Sequence, residues 1–428
     1  MEKVVKKLVK SLIGEVEIPS DKSISHRAVM FASLAQGESI IRNFSKGADC
    51  CSTVRVCRDL GVDIEYLDEK TLKVSSCGKL QQPAKSLDCG NSGTTMRLIS
   101  GILAGQEFNS TLVGDESLSK RPMKRIIEPL SKMGAKIEAN DKKAPLNISG
   151  ANLVGIDFES NLSSAQVKSC VLLAGLHADG TTRYTEPIKS RDHTERMLSE
   201  MGAHISIEGN SVSIRKSSLS PINFEVPGDI SSAAFFIVAG LIVPNSDIVL
   251  RNVGVNPTRT GILDVVSMMG GQIELFNKRS VLGEPVADLR VKYSPCLKGC
   301  LIEGELIPRL IDEIPVIAVL ATQAEGQTVI RNAEDLRNKE ADRISAVVSA
   351  LKAFGADVEE IADGFVINGK TLLSGAKVPT FHDHRLAMSY YVAGLVASSE
   401  VVIDGFEWIS ISFPEFENLM GVLFCGEG

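Results

Sequence analysis

Met201-Gly202-Ala203-His204-Ile205 recurs with small changes as Leu60-Gly61-Val62-Asp63-Ile64, Met133-Gly134-Ala135-Lys136-Ile137, Met269-Gly270-Gly271-Gln272-Ile273 and Phe354-Gly355-Ala356-Asp357-Val358. A weaker sixth copy is Met420-Gly421-Val422, and successive glycines lie 73, 68, 68, 85 and 66 residues apart. Each copy follows an amphipathic stretch and precedes alternating apolar residues, which reads as a helix closed by a left-handed glycine and then a strand. A second series runs through Leu34-Ala35, Leu103-Ala104, Leu173-Ala174, Val238-Ala239, Leu320-Ala321 and Val392-Ala393, at intervals of 69, 70, 65, 82 and 72. Both series stretch at the fourth interval, which places one insertion around residues 274–304. Six copies of a βαβαββ unit of about 70 residues account for the length.

The second series is apolar nearly all round, as in residues 167–176 and 233–243, so these helices are expected to be buried among the sheets. A chain of 428 residues is too long for one ordinary core. The pattern Pro-x-Asp-x-Ser occurs at Pro19 and again at Pro227, 208 residues apart with three repeats between. We therefore expect an α/β protein of two domains, residues 20–227 and residues 1–19 plus 228–428, each of three repeats around buried parallel helices.

The net charge of -7, with 5% aromatic residues, argues against a nucleic-acid-binding surface. No signal-peptide core interrupts the lysine-rich start, and the longest uncharged run, 230–246, contains Pro244 and is shorter than a membrane span. A cytoplasmic, soluble, monomeric protein is expected. Nine cysteines without a paired metal-ligand spacing read as reduced thiols, with no metal site and no cofactor.

A buried helix carries unpaired N–H groups and a partial positive charge at its start, which suits an anion. The residues at the six predicted starts are Lys22-Ser23 with Arg27, Asn91-Ser92-Gly93-Thr94, Ser163-Ser164-Ala165-Gln166, Ser231-Ser232, Asp312-Glu313 and Asp383-His384-Arg385. Ser231, Ser232 and Asn91 are expected as plain caps. Arg27 and Arg385 are expected to meet a ligand, because a cation in a first turn opposes the helix dipole unless an anion neutralises it. Two further stretches carry cations. Arg121 stands just before a helix expected to begin at Pro122, and Arg337-Asn338-Lys339-Glu340-Ala341-Asp342-Arg343 is expected to open a helix with Lys339 and Arg343 one turn apart. Those two like charges imply either a solvated face or an anion between them.

The stretches Ser20-Asp21-Lys22-Ser23-Ile24-Ser25-His26-Arg27-Ala28, Gly90-Asn91-Ser92-Gly93-Thr94-Thr95-Met96-Arg97, Ser117-Leu118-Ser119-Lys120-Arg121-Pro122-Met123, Ser164-Ala165-Gln166, Lys339-Glu340-Ala341-Asp342-Arg343 and Asp383-His384-Arg385-Leu386-Ala387-Met388 closely resemble the enolpyruvyl transferase family. The resemblance spans nearly the whole chain and implies a two-domain inverse α/β barrel closing over a cleft. It implies transfer of the carboxyvinyl group of phosphoenolpyruvate to the 5-hydroxyl of shikimate 3-phosphate, with phosphate released. Both substrates are small anions, which suits the local cations.

By the same resemblance, Lys22, Ser23, Arg27, Ser164, Gln166, Asp312 and Lys339 hold shikimate 3-phosphate. Lys22, Gly93, Arg121, Gln166, Arg343 and Arg385 hold phosphoenolpyruvate. Asp312, Glu340 and Lys22 carry the proton transfers. Ala165 stands where many members have serine, with Arg191 as the substitute phosphate contact; Asn338 and Ala341 also depart from the common pattern, and no lysine precedes Ser412-Phe413-Pro414. Two rivals remain open: the sister enzyme that acts on UDP-N-acetylglucosamine, whose loop carries a reactive cysteine that residues 114–121 lack, and a non-catalytic anion-binding repeat scaffold.

Overall fold

In the computed structural model, which describes residues 1–8 and 10–424, the chain divides into two compact units. Unit 1 comprises Met1–Pro19, Pro227–Arg279 and Pro285–Gly428; unit 2 comprises Ser20–Val226 and Ser280–Glu284. Each has its own apolar core. The described residues form five four-stranded sheets and one three-stranded sheet. The sheet containing Asp157–Glu159, Thr181–Thr185, Ser211–Arg215 and Ile205–Glu208, in that spatial order, shows the plan. Its first pair is parallel, joined through a helix, and its last two pairs are antiparallel.

The strands before the two proline crossings are exchanged. Ile13–Glu17 pairs in parallel with Asp247–Gly254 in unit 1, whereas Asn223–Glu225 pairs in parallel with Gln36–Arg42 in unit 2. The long fourth interval has a local cause: the hairpin strands Gln272–Val281 and Glu284–Lys292 are 10 and 9 residues long, and the short helices Gly304–Leu306 and Ile307–Leu310 follow before the next repeat resumes.

The six inner helices are Lys22–Leu34, Gly93–Ala104, Ala165–Gly175, Ile230–Ile242, Ile314–Thr322 and His384–Gly394. Their middles are buried on every side, as the apolar sequence requires. The outer helices Ala48–Asp59, Lys124–Lys132, His193–Glu200, Gly261–Met268 and Arg343–Ala353 end at Gly61, Gly134, Gly202, Gly270 and Gly355, with φ between +76° and +100°. The bonds from Val62 N to Cys57 O and from Ala203 N to Leu198 O close two of these ends across six residues, satisfying carbonyls that a helix end leaves open. The sixth copy fails: Gly421 lies inside the helix Phe416–Phe424 and has no positive φ. The three-stranded sheet of this repeat takes in the N-terminal strand Glu2–Val5.

Two inner helices of unit 2 approach unusually closely. A Cβ on Gly101 would lie 2.1 Å from the Cys170 carbonyl oxygen, and neither atom is a mobile side-chain end. Gly101→Ala is therefore expected to destabilise unit 2 by roughly 1–3 kcal/mol despite alanine's better helix propensity. Chemical denaturation that showed equal or greater stability would mean that the helices separate without cost.

Candidate active site

In unit 2, three inner-helix starts carry the predicted residues. Asp21 caps Lys22–Leu34 by accepting from Ile24 N at 2.8 Å, which leaves Lys22 and Ser23 in the first turn. The Lys22 ammonium pairs with Asp49 at 2.6 Å. Arg27 is buried: its Nε donates to Thr194 Oγ1 at 2.7 Å, its Nη2 to Ser169 Oγ at 2.8 Å and its Nη1 to the Ser23 carbonyl at 2.9 Å. Its hydrogen-bond partners are neutral oxygens. Burial pushes its pKa down to about 10, so it remains charged at neutral pH.

Gly93 opens the second helix behind the cap Ser92, which accepts from Thr95 N at 3.1 Å. A Cβ on Gly93 would stand 3.1 Å from Arg97 Nη1 and 3.5 Å from Arg121 Nη1, so two guanidiniums converge on this helix start. Arg97 donates to Gln166 Oε1 at 2.5 Å, and Gln166 donates to Thr94 Oγ1 at 3.0 Å, which joins the second helix start to the third. Ser164 caps that third helix. Arg121 donates to Asn91 Oδ1 at 2.9 Å. Arg191 lies on the loop just before the helix His193–Glu200, near enough for its charge to act on Arg27.

Unit 1 builds a different cluster around Arg343, which is among the largest fully buried side chains. Its Nε donates to Asp383 Oδ2 at 2.7 Å, its Nη2 to Glu340 Oε2 at 2.8 Å and its Nη1 to Asp312 Oδ1 at 3.4 Å. Burial alone would disfavour this charge, but Asp383, Glu340 and Asp312 more than offset it and raise the pKa above the ordinary arginine value. Asp312 also lies 3.5 Å from the Lys339 ammonium and 3.9 Å from the Arg385 guanidinium. Three cations thus surround one carboxylate.

Several local expectations change. The helix after Arg337 is two pieces, a 3-10 turn Glu334–Asn338 and a helix beginning at Arg343 behind the cap Asp342. Lys339 and Arg343 are therefore not neighbours on one helix face, and the anion both approach is the chain's own Asp312. The helix after Arg121 begins at Lys124 rather than Pro122, because a short helix Glu116–Lys120 precedes it and Arg121 caps that one's C-terminus. Asp229 and Ser92, not Ser231, Ser232 or Asn91, are the caps. Ser231 instead accepts from Arg259 at 2.6 Å and donates to Glu313, while Asn91 donates to Asp115 at 2.6 Å.

Sequence reasoning gave no role to Asp49, Arg97 or Asp383, although each now has a defined partner. Arg97 could have been found: it follows Gly93 by four residues and so shares its helix face. Asp383 was visible only as one of the residues at a predicted helix start, and its pairing with Arg343 depends on a residue 40 positions away. His26 is buried with Nδ1 2.6 Å from Thr53 Oγ1, and burial pushes its pKa down to about 3, which keeps it neutral. Among the described residues, no group of three or more His, Cys, Asp or Glu is placed to hold a metal ion, and no helix is long and apolar enough to cross a membrane.

Comparison with known proteins gives one consistent result. The family model described as EPSP synthase (3-phosphoshikimate 1-carboxyvinyltransferase) matches residues 6–420. A Bacillus licheniformis 3-phosphoshikimate 1-carboxyvinyltransferase is 53% identical over 413 residues, covering 95% of this chain and 96% of the relative. The Brevibacillus brevis protein of the same name is 52% identical over 415 residues, covering 96% and 97%. An EPSP synthase structure from Acinetobacter baumannii superposes with a TM-score of 0.90 at 42% identity, covering 99% of this chain and 98% of that one. The enolpyruvyl transferase NikO from Streptomyces tendae, at 16% identity, covers 99% and 97% with a TM-score of 0.81 and shares the fold. The chain belongs to the EPSP synthase (3-phosphoshikimate 1-carboxyvinyltransferase) family.

Proposed function

We propose that the chain transfers the carboxyvinyl group of phosphoenolpyruvate to the 5-hydroxyl of shikimate 3-phosphate and releases phosphate, acting as a monomer without cofactor. The observation that carries this reading is that one buried guanidinium, Arg343, holds both Asp312 and Glu340. The addition requires a proton to leave the 5-hydroxyl oxygen and another to reach the methylene carbon of phosphoenolpyruvate. Two carboxyl groups oriented by one cation are suited to that pair of transfers.

In this reading Asp312 takes the hydroxyl proton and Glu340 protonates the methylene carbon, giving a tetrahedral intermediate. Return of the carbon-bound proton and departure of phosphate complete the transfer, with Lys22 assisting the proton movements. Lys22, Ser23, Arg27, Ser164, Gln166, Arg191, Asp312 and Lys339 hold the acceptor. Lys22, Gly93, Arg121, Gln166, Arg343 and Arg385 hold the donor. The neutral partners of Arg27 support its assignment, since its charge remains available to a phosphate. The convergence of Arg97 and Arg121 on Gly93 supports a donor anion at that helix start. A reading as an inert scaffold leaves the Asp312 and Glu340 arrangement without a purpose.

The direct test mixes the protein with phosphoenolpyruvate and shikimate 3-phosphate, without added metal, and follows phosphate release. Release confirms the reaction; none there, but turnover with UDP-N-acetylglucosamine, transfers the assignment to the sister activity. Asp312→Ala and Glu340→Ala are each expected to lower kcat by at least about 100-fold with the fold retained. Near-normal turnover removes the substituted residue from the chemistry. Gly93→Ala crowds Arg97 and places a methyl group in contact with Arg121, and it is expected to raise KM for phosphoenolpyruvate more than KM for shikimate 3-phosphate. Equal shifts in the two constants would contradict the placement of the donor there.

A further inference from the structure

Beneath the starts of the third inner helix and the helix His193–Glu200 lies a buried charge cluster that the proposed chemistry does not use. Lys168 has a side chain 1% exposed, and its ammonium lies 2.7 Å from Glu186 Oε1 and 2.7 Å from Glu195 Oε1. Both carboxylates are equally buried. Two carboxyl groups share one ammonium, so a full complement of charges leaves the cluster net negative. Burial opposes the charge on Lys168, but Glu195 and Glu186 more than offset it and raise its pKa. Burial also raises the Glu195 pKa, with Lys168 acting the other way.

Such a cluster is a weak source of stability, because desolvating three ionisable groups costs most of what their attraction returns. Its geometry points to another purpose. Lys168 follows Ser164 by four residues and so lies one turn below the candidate phosphate contact on the same helix face. The same ammonium donates to the Ser190 carbonyl at 3.2 Å, and Glu186 Oε1 accepts from Ser190 N at 2.8 Å. Both backbone groups of Ser190 are therefore held, immediately before Arg191. On the other side, Glu195 neighbours Thr194, whose hydroxyl receives the Arg27 Nε, and Ser169 beside Lys168 receives the Arg27 Nη2. Arg191 and Arg27 repel each other, and Glu195 is the carboxylate that acts most strongly in favour of the Arg27 charge.

We propose that Lys168 is a positioning residue: through Glu186 it clamps the backbone before Arg191, and through Glu195 it supports the helix that holds Arg27, so that both guanidiniums are set for the phosphate of the acceptor. This rests on the reaction proposed above. It explains how a loop can hold a cation in place although Ala165 supplies no hydroxyl: buried charge fixes the loop from below, beside the Ser163 hydroxyl that donates to the Ile188 carbonyl at 2.6 Å and accepts from the Ile188 N–H at 3.1 Å.

Three variants test it in the full-length protein. Lys168→Met and Glu186→Ala are expected to raise KM for shikimate 3-phosphate at least tenfold, with KM for phosphoenolpyruvate and kcat changed less than threefold. Glu186→Gln keeps an oxygen that accepts from Ser190 N and Lys168, so it is expected to restore most of the acceptor affinity that Glu186→Ala loses. Trypsin, used without substrates, is expected to cut after Lys189 and Arg191 at least tenfold faster in Lys168→Met and Glu186→Ala than in the unaltered protein. Should Lys168→Met not fold, the two Glu186 variants decide the matter.

Faster cleavage with unchanged KM for the acceptor overturns the positioning role, and so does a Glu186→Gln protein as impaired as Glu186→Ala. Unchanged cleavage overturns the clamp itself. An unaltered protein that does not turn over shikimate 3-phosphate overturns the reaction, and the tryptic rates still judge the clamp separately.

Discussion

A helix that is apolar on every face can be buried without penalty along its sides but not at its ends, where four N–H groups lack partners within the helix. Six helices of this kind organise the chain, and the requirement that their starts be satisfied shapes what surrounds them. Asp21, Ser92, Ser164, Asp229 and Asp383 each cap one start by a side-chain oxygen. The start at Glu313 lacks such a cap, and Asp312 beside it is taken up by cations instead. The outer helices and short strands then cover the inner helices, and the loops at the helix starts collect charged and hydroxyl side chains.

A chain of net charge -7 concentrates cations at these places in two different ways. Arg27 is held by hydroxyls and a carbonyl, which orient the guanidinium without cancelling its charge. Arg343 is held by carboxylates, which its guanidinium orients in turn. The opposite directions of their pKa shifts express this difference: burial dominates at Arg27, whereas carboxylates overcome burial at Arg343. The first arrangement suits recognition of an anion. The second suits the presentation of acid and base groups, and Arg343 is its central member because removing it takes the cation away from the fully buried Asp383.

Much of this was legible in the chain itself. The five glycines that close outer helices were recognisable because only a residue free to adopt positive φ continues the chain there, and the following alternation marked each strand. Met420-Gly421-Val422 imitated the motif but lacked the alternation, and Gly421 proved to be an ordinary helical residue. The helix around Lys339 and Arg343 was misjudged because a polar, charged stretch carries little periodic signal; where the helix starts is decided by Asp342, whose carboxylate accepts from Ile344 N and Ser345 N. Capping was misassigned by one or two residues at Asn91 and Ser231, because Ser, Asn and Asp all cap well and only backbone geometry chooses among neighbours.

The sequence by itself determined the repeat, the buried helices, the family and the residue types at each helix start, since these depend on periodicity and on local backbone chemistry. Which charged groups meet was decided only by the tertiary structure. Asp312 gathers Lys339, Arg343 and Arg385 from segments 27 to 73 residues further along, and Lys168 joins Glu186 and Glu195 out of solvent. An ion pair's strength depends on separation and on the water excluded around it, and neither quantity is defined until distant segments have packed.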